Sequence, residues 1–219
     1  MASIAHVVEE IIRHRPYLSE ALSAGIINIS SLARQLQPDV EKLLGREVNT
    51  GAVVMALTRL APTLQLRDEE RLNGLLENMG DIILRSNLCD YTFKNSSTLL
   101  GCHIEVLKHL VKSDEVFYTM VQGVFETNLV VSDSMQGLVG KYFGEETCLF
   151  SQTGLSSVTL KLPKGNSLQP GFYYTIMKEL SWMGINLTEV ISSTNEFTVV
   201  VDNSLIDQTF VVLKNIGKH

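Results

Sequence analysis

Apolar residues recur every third or fourth position across 1–65 and every second position in several stretches beyond residue 80. The chain therefore reads as a helical front followed by a mixed α/β remainder. In the front, Val7, Ile11, Leu18, Leu22 and Ile26 fall near i, i+4 spacing. Ser30-Ser31 is an N-cap signal for a helix carrying Leu32, Ala33 and Leu36. Pro38-Asp39 predicts a new helical start leading to Val40, Leu43 and Leu44, and Gly45 predicts its stop. Asn49-Thr50 caps a further helix with Val53, Val54, Leu57 and Leu60 inward. The acids Asp68-Glu69-Glu70 open a connecting helix over 66–79 with Leu72, Leu75, Leu76 and Met79. Residues 1–65 thus form an all-α bundle, and its short helices joined by a glycine turn resemble a helix-turn-helix.

Beyond residue 80 the pattern repeats. Leu129-Val130-Val131-Ser132-Asp133-Ser134 returns as Val199-Val200-Val201-Asp202-Asn203-Ser204, a shift of 70 in numbering. The same shift pairs Gly101 with Gly171, Lys108 with Lys178, Leu110 with Leu180, Val121 with Ile191 and Glu126 with Glu196. In the first copy (80–153) a strand near 88–94 precedes a helix near 98–112 with Leu100, Ile104, Leu107 and Val111 inward. Strands near 116–122 and 126–132, a short helix with Met135, Leu138 and Tyr142, and a strand at 147–151 follow. The second copy (154–219) has a strand through Val158, Leu160 and Leu162, then a helix opened by Pro170 with Tyr173, Ile176, Leu180 and Met183 on one face, closed by Gly184. Strands near 187–193 and 196–202 and a helix with Ile206, Phe210 and Leu213 complete it. Each copy is a ferredoxin-like βαββαβ unit, α+β in class, with helices on one face of an antiparallel sheet. The second copy lacks its last strand while Ile82-Ile83-Leu84-Arg85 stands unused ahead of the first, so residues 82–85 are expected to pair with the second unit.

Charge narrows the functions. The 219 residues hold 18 basic and 24 acidic side chains, a net of −6. Residues 1–65 balance six of each, so the bundle lacks the cationic excess usual in a nucleic-acid binder. If DNA is read, Arg34, Thr50 and Arg59 are its candidates. Cys89, Cys102 and Cys148 are too widely spaced for a zinc site and odd in number, which fits a reducing compartment. The opening segment carries Glu9 and Glu10 where a signal peptide is apolar. The longest uncharged run, between Glu146 and Lys161, is shorter than the roughly 20 residues a membrane-spanning helix needs. A cytoplasmic protein with no membrane partner is expected.

The wording of the second copy resembles the ACT domains, ligand-sensing units, in the regulatory tail of aspartokinases. The matching segments are Gln169-Pro170-Gly171, Met183-Gly184-Ile185-Asn186-Leu187, and Ile191 through Asp202. Met120-Val121-Gln122-Gly123-Val124 is the looser match in the first copy. The resemblance covers about 80–219 and implies the strand exchange expected above. No glycine-rich kinase opening precedes residue 80, and no GxGxxG, Walker loop or HExxH occurs. His103 and His109 are six apart, off a common helical face. No catalytic residue, metal ligand or cofactor is therefore assigned. A helix opening offers free N–H groups to a carboxylate, and the loop 165–171 ends at one. By resemblance, an amino acid binds between paired units, touching Gly171 and Phe172 from one side and Asn186, Leu187 and Thr188 from another, with Gln122 the candidate in the first copy. The expectation is a non-catalytic amino-acid sensor, dimeric through its ACT units, acting on DNA or serving as a separate regulatory subunit of an amino-acid biosynthetic enzyme such as an aspartokinase.

Overall fold

The computed structural model describes residues 2–76, 80–110, 116–163 and 171–216, with the backbone alone for 65–76. It divides into two compact units, Met1–Gly74 and Leu75–His219.

The first unit is helical: α1 (Ile4–Arg13), α2 (Pro16–Ser23), α3 (Ile29–Leu44) and α4 (Thr50–Leu76). Its core joins Val8, Ile12, Leu22, Leu32, Leu36, Val40, Val53 and Leu57. Three local readings are corrected. Asn28, rather than Ser30-Ser31, caps α3, its side chain accepting from the Ser31 amide at 2.9 Å. Pro38 lies inside α3 instead of starting a new helix, because Leu32, Leu36 and Val40 make one buried i, i+4 stripe and the proline sits on the exposed side. Ile26 is 81% exposed, since Gly25 takes φ +68° and ends the helical register before it. Gly45 closes α3 at φ +66°. The helix begun at Thr50 and the connecting helix are one element, broken at neither residue 65 nor Pro62; Met79 lies outside the described residues.

The second unit runs β1 (Ile82–Lys94), α5 (Leu99–Leu110), β2 (Tyr118–Gln122), β3 (Glu126–Ser132), α6 (Gln136–Phe143), β4 (Cys148–Lys161), α7 (Phe172–Trp182), β5 (Glu189–Ser192), β6 (Glu196–Asp202) and α8 (Ile206–Asn215). All strand pairs are antiparallel, in the order β2-β3-β1-β4-β6-β5. The sequence suggested four short strands where two long ones run. β1 joins 82–85 to 88–94, and β4 joins the strand at 147–151 to the one through Val158 and Leu160. No proline interrupts either. The change of direction is absorbed within the strands by Asn87 (φ +61°) and Gly154 (φ +71°), beside register shifts around Leu88. Leu88 faces Leu155 at this crossing. Beyond it Ile82–Arg85 lie opposite Ser157–Leu160, which in turn pair with β6.

One sheet face packs under helices. Cys89, Phe93, Leu129 and Val131 meet Leu99 and Val106 of α5 and Val139 and Phe143 of α6. In the second repeat Phe172, Ile176 and Leu180 of α7 are buried. By the repeat offset these are the counterparts of Cys102, Val106 and Leu110. On α7 the expected Ile176 and Leu180 do point inward, while Tyr173 and Met183 at its two ends are exposed. On α5 the expected face is corrected: Leu100, Ile104 and Leu107 are exposed, because that helix carries two apolar stripes and the sheet takes the one with Leu99 and Val106. Trp182 at the end of α7 is 72% exposed. Val111 and Pro170 lie outside the described residues.

The opposite face is closed as well. Leu88, Val130, Leu155 and Val200 form a second core. Asn128 on β3 also donates to Glu189 on β5 at 2.9 Å. Three strands separate β3 from β5 in the sheet, about 19 Å if it were flat. The sheet is thus folded back on itself at the β1–β4 crossing, and its two halves face each other. Truncating Leu155 to Ala opens a cavity at this crossing. It is expected to destabilise the chain by about 3 kcal/mol in urea denaturation, against under about 1 kcal/mol for Leu149→Ala on the exposed end of β4.

Candidate functional site

The opening of α7 meets the end of β5. Gly171 caps the helix at φ +94°, where nothing crowds a side chain and the backbone alone demands glycine. The first turn of α7 carries no acidic side chain to satisfy its amides. The Phe172 ring is fully buried, so only its backbone amide is available at this corner. Beside it the Tyr173 hydroxyl is 2.9 Å from the Ser192 hydroxyl at the end of β5, and the Tyr173 ring lies 5.3 Å from that of Phe197. Sequence reasoning did not single out Tyr173 and Ser192 as site residues. The signal was present, since Ser192 is the repeat counterpart of Gln122.

The remaining candidates lie elsewhere in the unit. Asn186 is exposed and Leu187 and Thr188 half-buried beyond the other end of α7. Gly184 turns the chain at φ +68°, buried Ile185 anchors it, and the Thr188 amide donates to Val200 at 2.8 Å. Eleven residues of helix separate the two groups, about 16 Å. Gln122 is exposed on the outer strand β2 of the other half. One chain therefore brings Gly171 and Phe172 together but holds Asn186, Leu187 and Thr188 a helix length away from them.

The corresponding opening in the first repeat already holds a carboxylate. Glu146 accepts from the Ser96 hydroxyl at 2.7 Å and the Thr98 hydroxyl at 2.6 Å. Ser96 Oγ in turn accepts from the Leu99 amide at 3.1 Å, closing the start of α5. The hydroxyl donors of Ser96 and then Thr98 hold the Glu146 carboxyl below its usual range. His103 and His109 have structural partners: Nδ1 of His103 lies 2.7 Å from the Tyr118 hydroxyl and Nε2 of His109 2.9 Å from that of Tyr142. Burial pushes the Tyr118 phenol up to about 12 and lowers His103. Among the described residues no three His, Cys, Asp or Glu side chains group as metal ligands, and no helix is long and apolar enough to cross a membrane.

In the helical unit Arg34 on α3 and Arg59 on α4 are exposed. Thr50 is engaged internally, its hydroxyl donating to Gln37. Gln37 Nε2 donates to the Val48 carbonyl at 2.9 Å and to Glu41 at 3.0 Å, and Glu41 accepts from the Val48 amide at 3.0 Å. This network fixes the turn leading into α4, and its donors, Gln37 first, hold the Glu41 carboxyl low.

No protein-family model and no curated protein matches the sequence. Solved structures do match its fold. The regulatory subunit of aspartate kinase from Thermus thermophilus, in ligand-free form, superposes at TM-score 0.51 with 10% identity over 63% of this chain and 97% of that one. The aspartate kinase of Clostridium acetobutylicum superposes at TM-score 0.50 with 15% identity over 62% of this chain. Only 34% of that enzyme is covered, so the chain spans about a third of its length. The α+β unit is thus similar in fold to the ACT-type regulatory parts of aspartate kinases.

Because the Glu146 carboxyl is held low, its contribution is full above the ordinary carboxylate value of the unfolded chain and is lost as pH falls from there through the lowered folded value. In urea denaturation, Glu146→Gln is expected to lose about 1 kcal/mol at neutral pH and to flatten the decline on acidification.

Proposed function

We propose that this chain is a non-catalytic regulatory protein that binds a small amino acid at the opening of α7. The supporting observation is the pairing of a helix start capped by Gly171, with no acidic residue in its first turn, with a Tyr173–Ser192 hydroxyl pair beside it. In this reading the first-turn amides and the helix dipole hold the ligand carboxylate. Asn186, Leu187 and Thr188 are too far away to complete the same site, so a second copy supplies them, with the exposed Asn186 side chain and neighbouring backbone carbonyls as acceptors for the ammonium group. The working form is then a homodimer joined through its sheet units, with Gln122 on an outer strand facing the same seam. Binding transmits a signal only if the ligand prefers one arrangement of the pair over another.

Two outputs fit the helical unit. In one, Arg34 and Arg59 meet DNA phosphates while Thr50 keeps the turn before α4 in place, making the chain an amino-acid-responsive transcriptional regulator. In the other, the chain is a separate regulatory subunit of a biosynthetic kinase. The balanced charge of residues 1–65 and the match to 97% of a stand-alone regulatory subunit favour the second.

Isothermal titration with lysine, threonine, methionine and the remaining common amino acids is expected to give heat with one of them. Gly171→Val should weaken that binding at least tenfold, about 1.4 kcal/mol, by forcing the helix start out of φ +94°. Silence across all twenty rejects the reading. A gel shift abolished by Arg59→Ala supports the DNA output, and a co-purified kinase the other.

A further inference from the structure

We propose that the two halves of the folded sheet are joined by a proton-dependent latch, in which Asn128 bridges Asp90 on β1 to Glu189 on β5 and loss of a proton from the acid pair weakens the bridge. This goes beyond the amino-acid reading and does not depend on it. Asn128 Nδ2 donates to Asp90 Oδ1 on the neighbouring strand at 2.7 Å and, across the gap, to Glu189 Oε1 at 2.9 Å, spending both amide hydrogens. Asp90 is 1% exposed and Glu189 half-buried, in the same interior as Leu88, Val130, Leu155 and Val200. Two carboxylates held on one amide donor, one of them fully buried, repel each other unless a proton is bound. Desolvation raises both, and the Asp90 charge adds to the rise at Glu189.

Cross-strand register shows which other charged groups share this face. They are Asp81 just before β1, Arg85 and Lys94 on β1, Glu126 on β3, Lys161 on β4, and Glu196 and Asp202 on β6. Glu126 sharpens the effect by raising Glu189 further. Lys94 is in register with Glu126 and Lys161 with Glu196, and Arg85 lies over the Phe117 ring at 5.8 Å. No charged residue of β2 is on this face.

The fold itself does not require these acids. The repeat counterpart of Asn128 is Thr198, whose hydroxyl pairs with that of Thr159 at 2.8 Å, a neutral solution at the matching place in the other half. Ser157, the counterpart of Asp90 across the Leu88–Leu155 crossing, is likewise uncharged. The charged version therefore sits in only one of two equivalent positions, where it makes the contact between halves depend on pH.

The sign follows from linkage. An acid that holds its proton more tightly when folded stabilises the folded chain at low pH, and that contribution is lost as pH rises. Urea denaturation of the full chain from about pH 5 to about pH 8.5 should show a midpoint that falls with rising pH. Glu189→Gln and Asp90→Asn should each flatten the fall and strengthen the chain at the alkaline end. Hydrogen exchange of β5 amides should slow roughly tenfold there in Glu189→Gln. Carboxyl NMR on the unmutated chain provides a reading independent of variant folding, with at least one of the two acids titrating above the ordinary carboxylate range. Parallel wild-type and Glu189→Gln profiles, or both acids titrating in the ordinary range, would overturn the latch.

Discussion

The fold turns on one steric demand: a sheet with apolar residues on both faces must cover both. Four helices cover the face of Cys89, Phe93, Leu129 and Val131 and its counterpart in the second repeat. The face of Leu88, Val130, Leu155 and Val200 has no helix of its own among the described residues of the unit. Folding the sheet at the β1–β4 crossing buries that face against itself. The crossing in turn requires two strands long enough to serve both halves, and backbone kinks at Asn87 and Gly154 that let them turn without breaking their ladder. The exchange of segments between repeats follows from that geometry.

Much of this was legible in the constant offset between the repeats, which places β2 against β5, β3 against β6 and α6 against α8 almost residue for residue. Caps at Gly45 and Gly184 were equally readable, because a left-handed residue after an apolar run has few alternatives to glycine. The inward stripe of α5 was not. Leu100, Ile104 and Leu107 and the set Leu99, Cys102 and Val106 are both apolar at helical spacing, and hydrophobicity alone cannot choose between them. Asp90 and Asn128 posed the opposite difficulty. A polar residue in an alternating strand reads as a solvent-facing position, and only the folded-back sheet turns that face inward. The candidate positions were read from residue type alone, and their places in the fold were not legible: Gly171 and Asn186 sit at opposite ends of one helix.

The two repeats have diverged in charge more than in shape. At the helix openings, the first repeat closes its own with Ser96 and Glu146 while the second shows no acid in its first turn. In the interior, one half carries Asp90 and Asn128 while the other carries Ser157 and a threonine pair. A duplicated scaffold with unequal polar fillings can respond unequally at its two ends, which is what a regulatory element needs if one half is to move relative to the other.

The exchanged strands also impose an order on synthesis. Leu84 finds its partner Val158 only once the whole intervening repeat has been added. At ordinary ribosomal speeds that is a wait of roughly 4–15 s. Throughout it, Ile82, Ile83 and Leu84 present an apolar ribbon with no neighbour in register. A nascent chain stalled in that interval would be a ready substrate for chaperones, or for mispairing with another nascent copy on the same polysome.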